Sequence, residues 1–164
     1  MQDMNDQQAL AKRLRRVRAK LIFNPGAGAA NASPIELVDV IREMQAWKLV
    51  PEAFLVEPDS DLPGVIRDAL AQGIRMFVVC GGDGTISAVA GMLAGERATL
   101  GIIPTGTQNN TARSLGIPTE IPAAIALLRT GRRIKIDTGV APRAAPTAQA
   151  AKAARISWSF ARWG

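Results

Sequence analysis

The sequence has no histidine, no tyrosine and a single cysteine, Cys80, in 164 residues. Those absences exclude whole mechanisms. A Ser–His–Asp or Cys–His hydrolase, a histidine-ligated metal and a four-cysteine zinc site cannot be assembled from this chain. No intramolecular disulfide can form, so a reducing compartment is expected. Apolar runs of membrane-spanning length are missing, and the polar, basic start lacks the apolar core of a signal peptide. A cytoplasmic protein is the expectation, with peripheral contact to a membrane as an option. Aromatic residues make up only 4%, yet 48% of residues are hydrophobic, enough for the core of one domain.

Acidic charge is also scarce. The formal net charge is +6, but it is unevenly placed. Residues 1–20 carry six bases against Asp3 and Asp6, and residues 140–164 carry four bases and no acid. The middle, 21–139, holds ten bases and twelve acids. The basicity therefore belongs to the two ends, which suit solvated flanks or attraction to anionic lipid. A nucleic-acid module would cluster bases on the folded core and interleave aromatics with them, and that pattern is missing from 21–139. No nucleic-acid partner is expected.

Strand and helix signals alternate with short punctuation. Residues 19–23 read as a strand that runs into Asn24-Pro25-Gly26-Ala27-Gly28. Ser33-Pro34-Ile35-Glu36 has the form of a capping box opening a helix with Leu37, Val40, Ile41, Met44 and Trp47 on one face. A strand at about 52–56 and a helix at about 60–72, closing on Gly73, follow. The almost wholly apolar run 74–80 predicts a central parallel strand covered on both faces. A helix beginning near Thr85, a strand at 100–103, a short helix at 109–115, a helix through Ile121, Ala124, Ile125 and Leu128, and a strand at 132–136 complete the pattern. Such alternation predicts an α/β fold: a parallel sheet with helices on both faces, and ligand loops at the carboxyl ends of its strands. The expected division is a basic flank over 1–18, a domain over 19–139, and a tail over 140–164 that is disordered or adventitious.

Three glycine-bearing loops follow predicted strands. Gly81-Gly82-Asp83-Gly84-Thr85 lets backbone approach a ligand without Cβ interference, while the next helix aims free N–H groups at it. Asp83 among anion-attracting amides suits a magnesium-linked or proton-accepting role, or equally a helix cap. A Walker A loop is excluded because no Gly-Lys pair occurs, and the dinucleotide fingerprint fails at Ser87. Cys80 and Trp47 read as core.

Taken in order, Asn24-Pro25-Gly26-Ala27-Gly28, Gly81-Gly82-Asp83-Gly84-Thr85 and Ile103-Pro104-Thr105-Gly106-Thr107-Gln108-Asn109-Asn110-Thr111-Ala112-Arg113-Ser114-Leu115-Gly116-Ile117-Pro118 resemble the diacylglycerol kinase catalytic domain family, over about 19–139. The resemblance implies ATP-dependent phosphorylation of a lipid hydroxyl, with ATP and Mg2+ as cofactors and a lipid at a membrane surface as substrate. It implies that Gly81, Gly82, Gly84 and Thr85 embrace the ATP phosphates, that Thr107 and Asn109 contact the nucleotide, and that Asn24 braces the first loop. Asp83 would be the catalytic acid or the residue organising magnesium. Phosphoryl transfer is largely positioning and charge stabilisation, which amides and a metal supply without histidine. Three positions depart from the family pattern: Ala88 where an acid is usual, Asn110 in the usual Asn-Asp pair, and Glu57 where a threonine is often found. The family also continues with a β-rich, lipid-holding domain, so a shifted or shortened reading frame is expected beyond Gly139, and an exposed sheet edge would favour self-association. The alternatives are a non-catalytic nucleotide-binding remnant and a kinase acting on NAD or another small molecule.

Overall fold

The computed structural model describes residues 9–11, 13–28, 35–138 and 156–162. Six strands form one sheet: β1 (Val17–Phe23), β2 (Leu49–Leu55), β3 (Met76–Gly81), β4 (Thr99–Pro104), β5 (Arg132–Thr138) and β6 (Ile156–Arg162), in the spatial order β2-β1-β3-β4-β6-β5. The first four are mutually parallel. Their links are the helices α1 (Leu37–Ala46), α2 (Leu62–Ala71) and α3 (Asp83–Met92), and after β4 come α4 (Asn110–Ser114) and α5 (Ile121–Thr130).

Period-2 alternation along β3 distributes its side chains to both faces. Phe77 and Val79 join Ile66 of α2 and Ile86 and Val89 of α3 on one side. Met76, Val78 and Cys80 join Val40 and Met44 of α1 and Ile125 of α5 on the other. Every residue of β3 and of β4 is buried, as a central parallel strand under two helical layers requires. Each large apolar side chain placed there contributes roughly 1.5–3 kcal/mol relative to exposure. Trp47 and Cys80 are core residues, as expected.

Helix ends follow local chemistry. The Asp61 carboxylate accepts the Gly64 N–H at 3.0 Å, which caps α2, and Pro63 stands in its first turn. Gly73 takes a left-handed conformation after α2, with φ of 80°, and the Ile74 N–H closes back onto the Ala69 carbonyl at 3.0 Å. Ser33 and Pro34 of the expected capping box lie outside the described residues; within them, α1 opens at Leu37 with Glu36 as N-cap, its side chain unused as a cap. Lys48, after α1, holds the same left-handed conformation as Gly73 with φ of 60°, where a Cβ is unfavourable. Lys48→Gly is expected to gain about 0.5–1 kcal/mol, read as a rise of a few degrees in the melting midpoint; a fall would mean the lysine stem holds more than its backbone loses.

Two features differ from expectation. β5 is not a fifth parallel strand but runs antiparallel to β6, which itself lies parallel beside β4. Arg132, Arg133 and Lys135, all exposed, give β5 the alternation of an edge strand with one wet face rather than the continuous apolar run of a central one. β6 lies within the tail from which no regular structure was expected. Its residue types alternate as Ile156, Trp158 and Phe160 against Ser157, Ser159 and Ala161, a short period-2 pattern that a composition reading of 140–164 averages away. The rest of that tail, 140–155 and 163–164, falls outside the described residues. Among the described residues no helix is long and apolar enough to cross a membrane.

Candidate functional site

The three glycine loops meet at the carboxyl ends of β1, β3 and β4. The first is pinned by Asn24. Its Oδ1 accepts the Gly26 N–H at 3.0 Å, which orients the amide so that Nδ2 donates to Thr85 Oγ1 at 2.8 Å. The Asn24 N–H in turn donates to the Cys80 carbonyl at 2.9 Å. Asn24 therefore stitches the first loop to the start of α3, and Thr85 is its partner.

The second and third loops touch backbone to backbone. A Cβ at Gly106 would stand 2.6 Å from Gly82 Cα and 3.0 Å from Asn109 Oδ1. Gly106 is therefore an element of the site to which its motif alone assigns no role, since a close approach of two loops is not visible in one dimension. Asn109 adopts a left-handed backbone, φ 51°, and spends its whole amide on Gly106: Oδ1 accepts the Gly106 N–H at 2.9 Å and Nδ2 donates to the Gly106 carbonyl at 2.8 Å. The side chain, 9% exposed, closes the loop like a short piece of ladder. Thr107 is exposed at the tip of that loop.

Asp83 is the first residue of α3, behind Gly82 as N-cap, but its carboxylate serves a different helix. Oδ2 accepts the Asn110 N–H at 2.9 Å and Oδ1 accepts the Thr111 N–H at 2.8 Å. These are the two leading N–H groups of α4, which its own N-cap Asn109 leaves unserved. The Thr111 and Asn110 backbone donors, with the Thr111 hydroxyl, hold the Asp83 carboxyl below its ordinary value of 3.8. Each oxygen keeps lone-pair capacity beyond its one amide bond.

Around α3 the geometry is open. Gly82 has no side chain with which to serve the first-turn N–H groups, and a Cβ at Gly84 would meet nothing within 4 Å. Backbone donors and the positive end of the helix thus face free space beside a carboxylate. Beneath the loops, burial pushes the Cys80 thiol up to about 12, so it stays a neutral core group. The Thr105 hydroxyl offsets part of that rise but is itself buried without a hydrogen-bond partner of good geometry. Arg113 is exposed on α4. Among the described residues no three acidic or cysteine side chains gather as a metal cage.

A doubly covered parallel sheet with glycine loops joined at its carboxyl edge and a helix N-terminus left open defines a loop-site α/β protein. The chain matches the diacylglycerol kinase catalytic domain over residues 18–141 and belongs to that family. It is 32% identical to a diacylglycerol kinase of Staphylococcus carnosus over 126 residues, 76% of this chain and 41% of that protein. To a Staphylococcus aureus diacylglycerol kinase it is 31% identical over 76% of this chain and 40% of that one. A crystal structure of a diacylglycerol kinase from Bacillus anthracis superposes with a TM-score of 0.58 at 26% identity, covering 74% of this chain and 47% of that one. The chain thus spans about two fifths of the length of these curated relatives.

Proposed function

We propose that this chain is the nucleotide-binding part of an ATP-dependent lipid kinase, which forms a bond between a lipid hydroxyl oxygen and the γ-phosphorus of ATP and releases ADP and the hydroxyl proton. The observation that carries the reading is the open N-terminus of α3 at Gly82–Gly84, walled by the Gly106 loop. Anionic oxygens fit there because the free donors are backbone amides and the space at Gly84 is empty. Gly81, Gly82, Gly84 and Thr85 are the proposed phosphate contacts, and Thr107, exposed on the facing loop, is a further one. Asn24 and Asn109 act one step back, since their amides are committed to Thr85 and Gly106.

The state of Asp83 favours an organising role over proton abstraction: a carboxylate held ionised by amide donors is a weak base. Magnesium would fit here as an ion carried by the nucleotide phosphates, with Asp83 as the carboxylate that holds it, since one carboxylate together with substrate phosphates is an ordinary arrangement for this ion. When bound it supplies charge neutralisation on the phosphates. A lipid acceptor is supported by the family and by the relatives' name, diacylglycerol kinase.

Gly84→Ala tests this directly. The methyl group touches no protein atom and alanine suits a helical turn better than glycine by roughly 0.5–1 kcal/mol, so the melting temperature should hold or rise. ATP affinity should fall roughly tenfold or more, the loss of one charge-assisted amide bond. Unchanged affinity would place the nucleotide elsewhere. With labelled ATP, magnesium and mixed micelles of diacylglycerol, sphingosine or phosphatidylglycerol, label transferred to lipid supports the kinase. Binding without transfer supports a nucleotide-binding module.

A further inference from the structure

At the amino-terminal edge of the sheet, the end opposite the glycine loops, an open cavity of about 740 Å3 is lined by Arg16, Arg18, Arg75, Arg97, Arg133 and Lys135 and, among the described residues, by no acidic one. These six come from the segments entering β1, β3 and β4 and from β5, where Lys135 lies level with Thr99 of β4 through Ser159. Two of them are held in place: Arg18 donates to Glu52 at 2.7 Å, and Arg75 donates to the Leu70 and Ile74 carbonyls at 2.8 and 3.1 Å. Among the described residues the other four form no ion pair. Just beyond the rim, Arg129 donates to the Arg15 carbonyl at 2.8 Å while its Nε is buried without a partner. Burial first, and then the neighbouring charge of Arg133, pull its guanidinium below the usual range. Like charges brought together from four segments repel unless an anion sits among them.

We propose that this cavity is a second anion site, separate from the glycine loops, that takes a soluble ligand carrying two or more phosphate groups. The volume lies in the range of small-molecule sites and exceeds one phosphate. Five of the six cations are arginines, whose planar forks grip phosphate oxygens in pairs. A bilayer headgroup offers the same chemistry, but a bilayer held at this edge would lie about 20 Å, the length of a six-residue strand, from the glycine loops.

Titration of the 15N-labelled chain with inorganic tripolyphosphate at 0.15 M salt tests the site. Saturable amide shifts are expected at Gly73–Met76 and Arg97–Thr99. Affinity should weaken about tenfold in Arg97→Gln and in Arg133→Gln and hold in Arg42→Gln, on the exposed face of α1. Spectra of the exposed-residue variants away from the cavity report that they remain folded. Shifts confined to 81–85 and 105–111, or an equal loss in Arg42→Gln, would overturn the proposal. So would sedimentation with phosphatidylglycerol vesicles that depends on Arg97 and Arg133 without any tripolyphosphate shift, which assigns the site to headgroups.

Discussion

Gly106→Ala is expected to destabilise the protein by about 3 kcal/mol, at the upper end of overpacking costs, lowering the melting temperature by roughly 10 °C for a chain of this size. The new methyl would stand 2.6 Å from Gly82 Cα, and neither partner can yield cheaply. Gly82 is backbone at the N-cap of α3, and the Gly106 loop is locked by two bonds to Asn109. If the loops separate instead, the wall beside α3 is lost, so nucleotide affinity falls with stability. Gly101→Ala is the informative companion. Its Cβ would strike Leu128 Cδ2, the end of a flexible side chain that can rotate away, and the cost should be well under half as large. Thermal and urea unfolding of both variants check the contrast. Equal midpoints would show that loop contact is not what constrains position 106.

Asp83→Asn is expected to loosen α4 without touching the core. Asparagine offers one oxygen where aspartate offers two, and its amide nitrogen would face a backbone N–H. The loss at neutral pH is about 1 kcal/mol on the scale of helix caps, tempered because the half-buried carboxylate is screened by solvent. The dependence on pH has a definite sign. The folded carboxyl titrates below its ordinary value of 3.8, so its contribution is present above about pH 4 and disappears as pH falls below that value through the folded one. The melting difference between wild type and variant should therefore be full at pH 6 and shrink progressively as the pH falls below about 4. A difference that stays constant across this range would show that the carboxylate's charge is not what holds α4. Nucleotide affinity should fall in the variant at pH 7 as well, because the Asn109–Gly106 closure is carried on the turn that Asp83 secures.

Much of the architecture was legible in the linear pattern. The run Ile74–Cys80 announced a strand buried on both faces, and the structure sends Phe77 and Val79 one way and Val78 and Cys80 the other. Gly73 marked the end of α2. The absence of histidine and of a Gly-Lys pair left the three glycine loops as the candidate site. What escaped were relations between segments. A cap of its own helix was one of the readings open for Asp83, but its carboxylate caps another helix 27 residues on, because helix N-termini need acceptors and do not specify which carboxylate supplies them. Asn109 reads as a ligand contact, yet its amide is consumed by Gly106. β6 escaped because a strand is stabilised by partners, and its partners, β4 and β5, lie far away in the sequence.

Charge shows the same division most plainly. The count over 21–139 is nearly balanced, and nothing in it hints at a basic site. Folding brings Arg75, Arg97, Arg133 and Lys135 beside Arg16 and Arg18, because strand entries that are separated along the chain are neighbours across a parallel sheet. By itself the sequence determined the elements from β1 to α5, their buried faces and the three glycine loops, since periodicity, caps and missing side chains are local properties. Only the tertiary structure decided which loop touches which, what Asp83 holds and where the cations gather, since those depend on distances between segments that local chemistry does not encode.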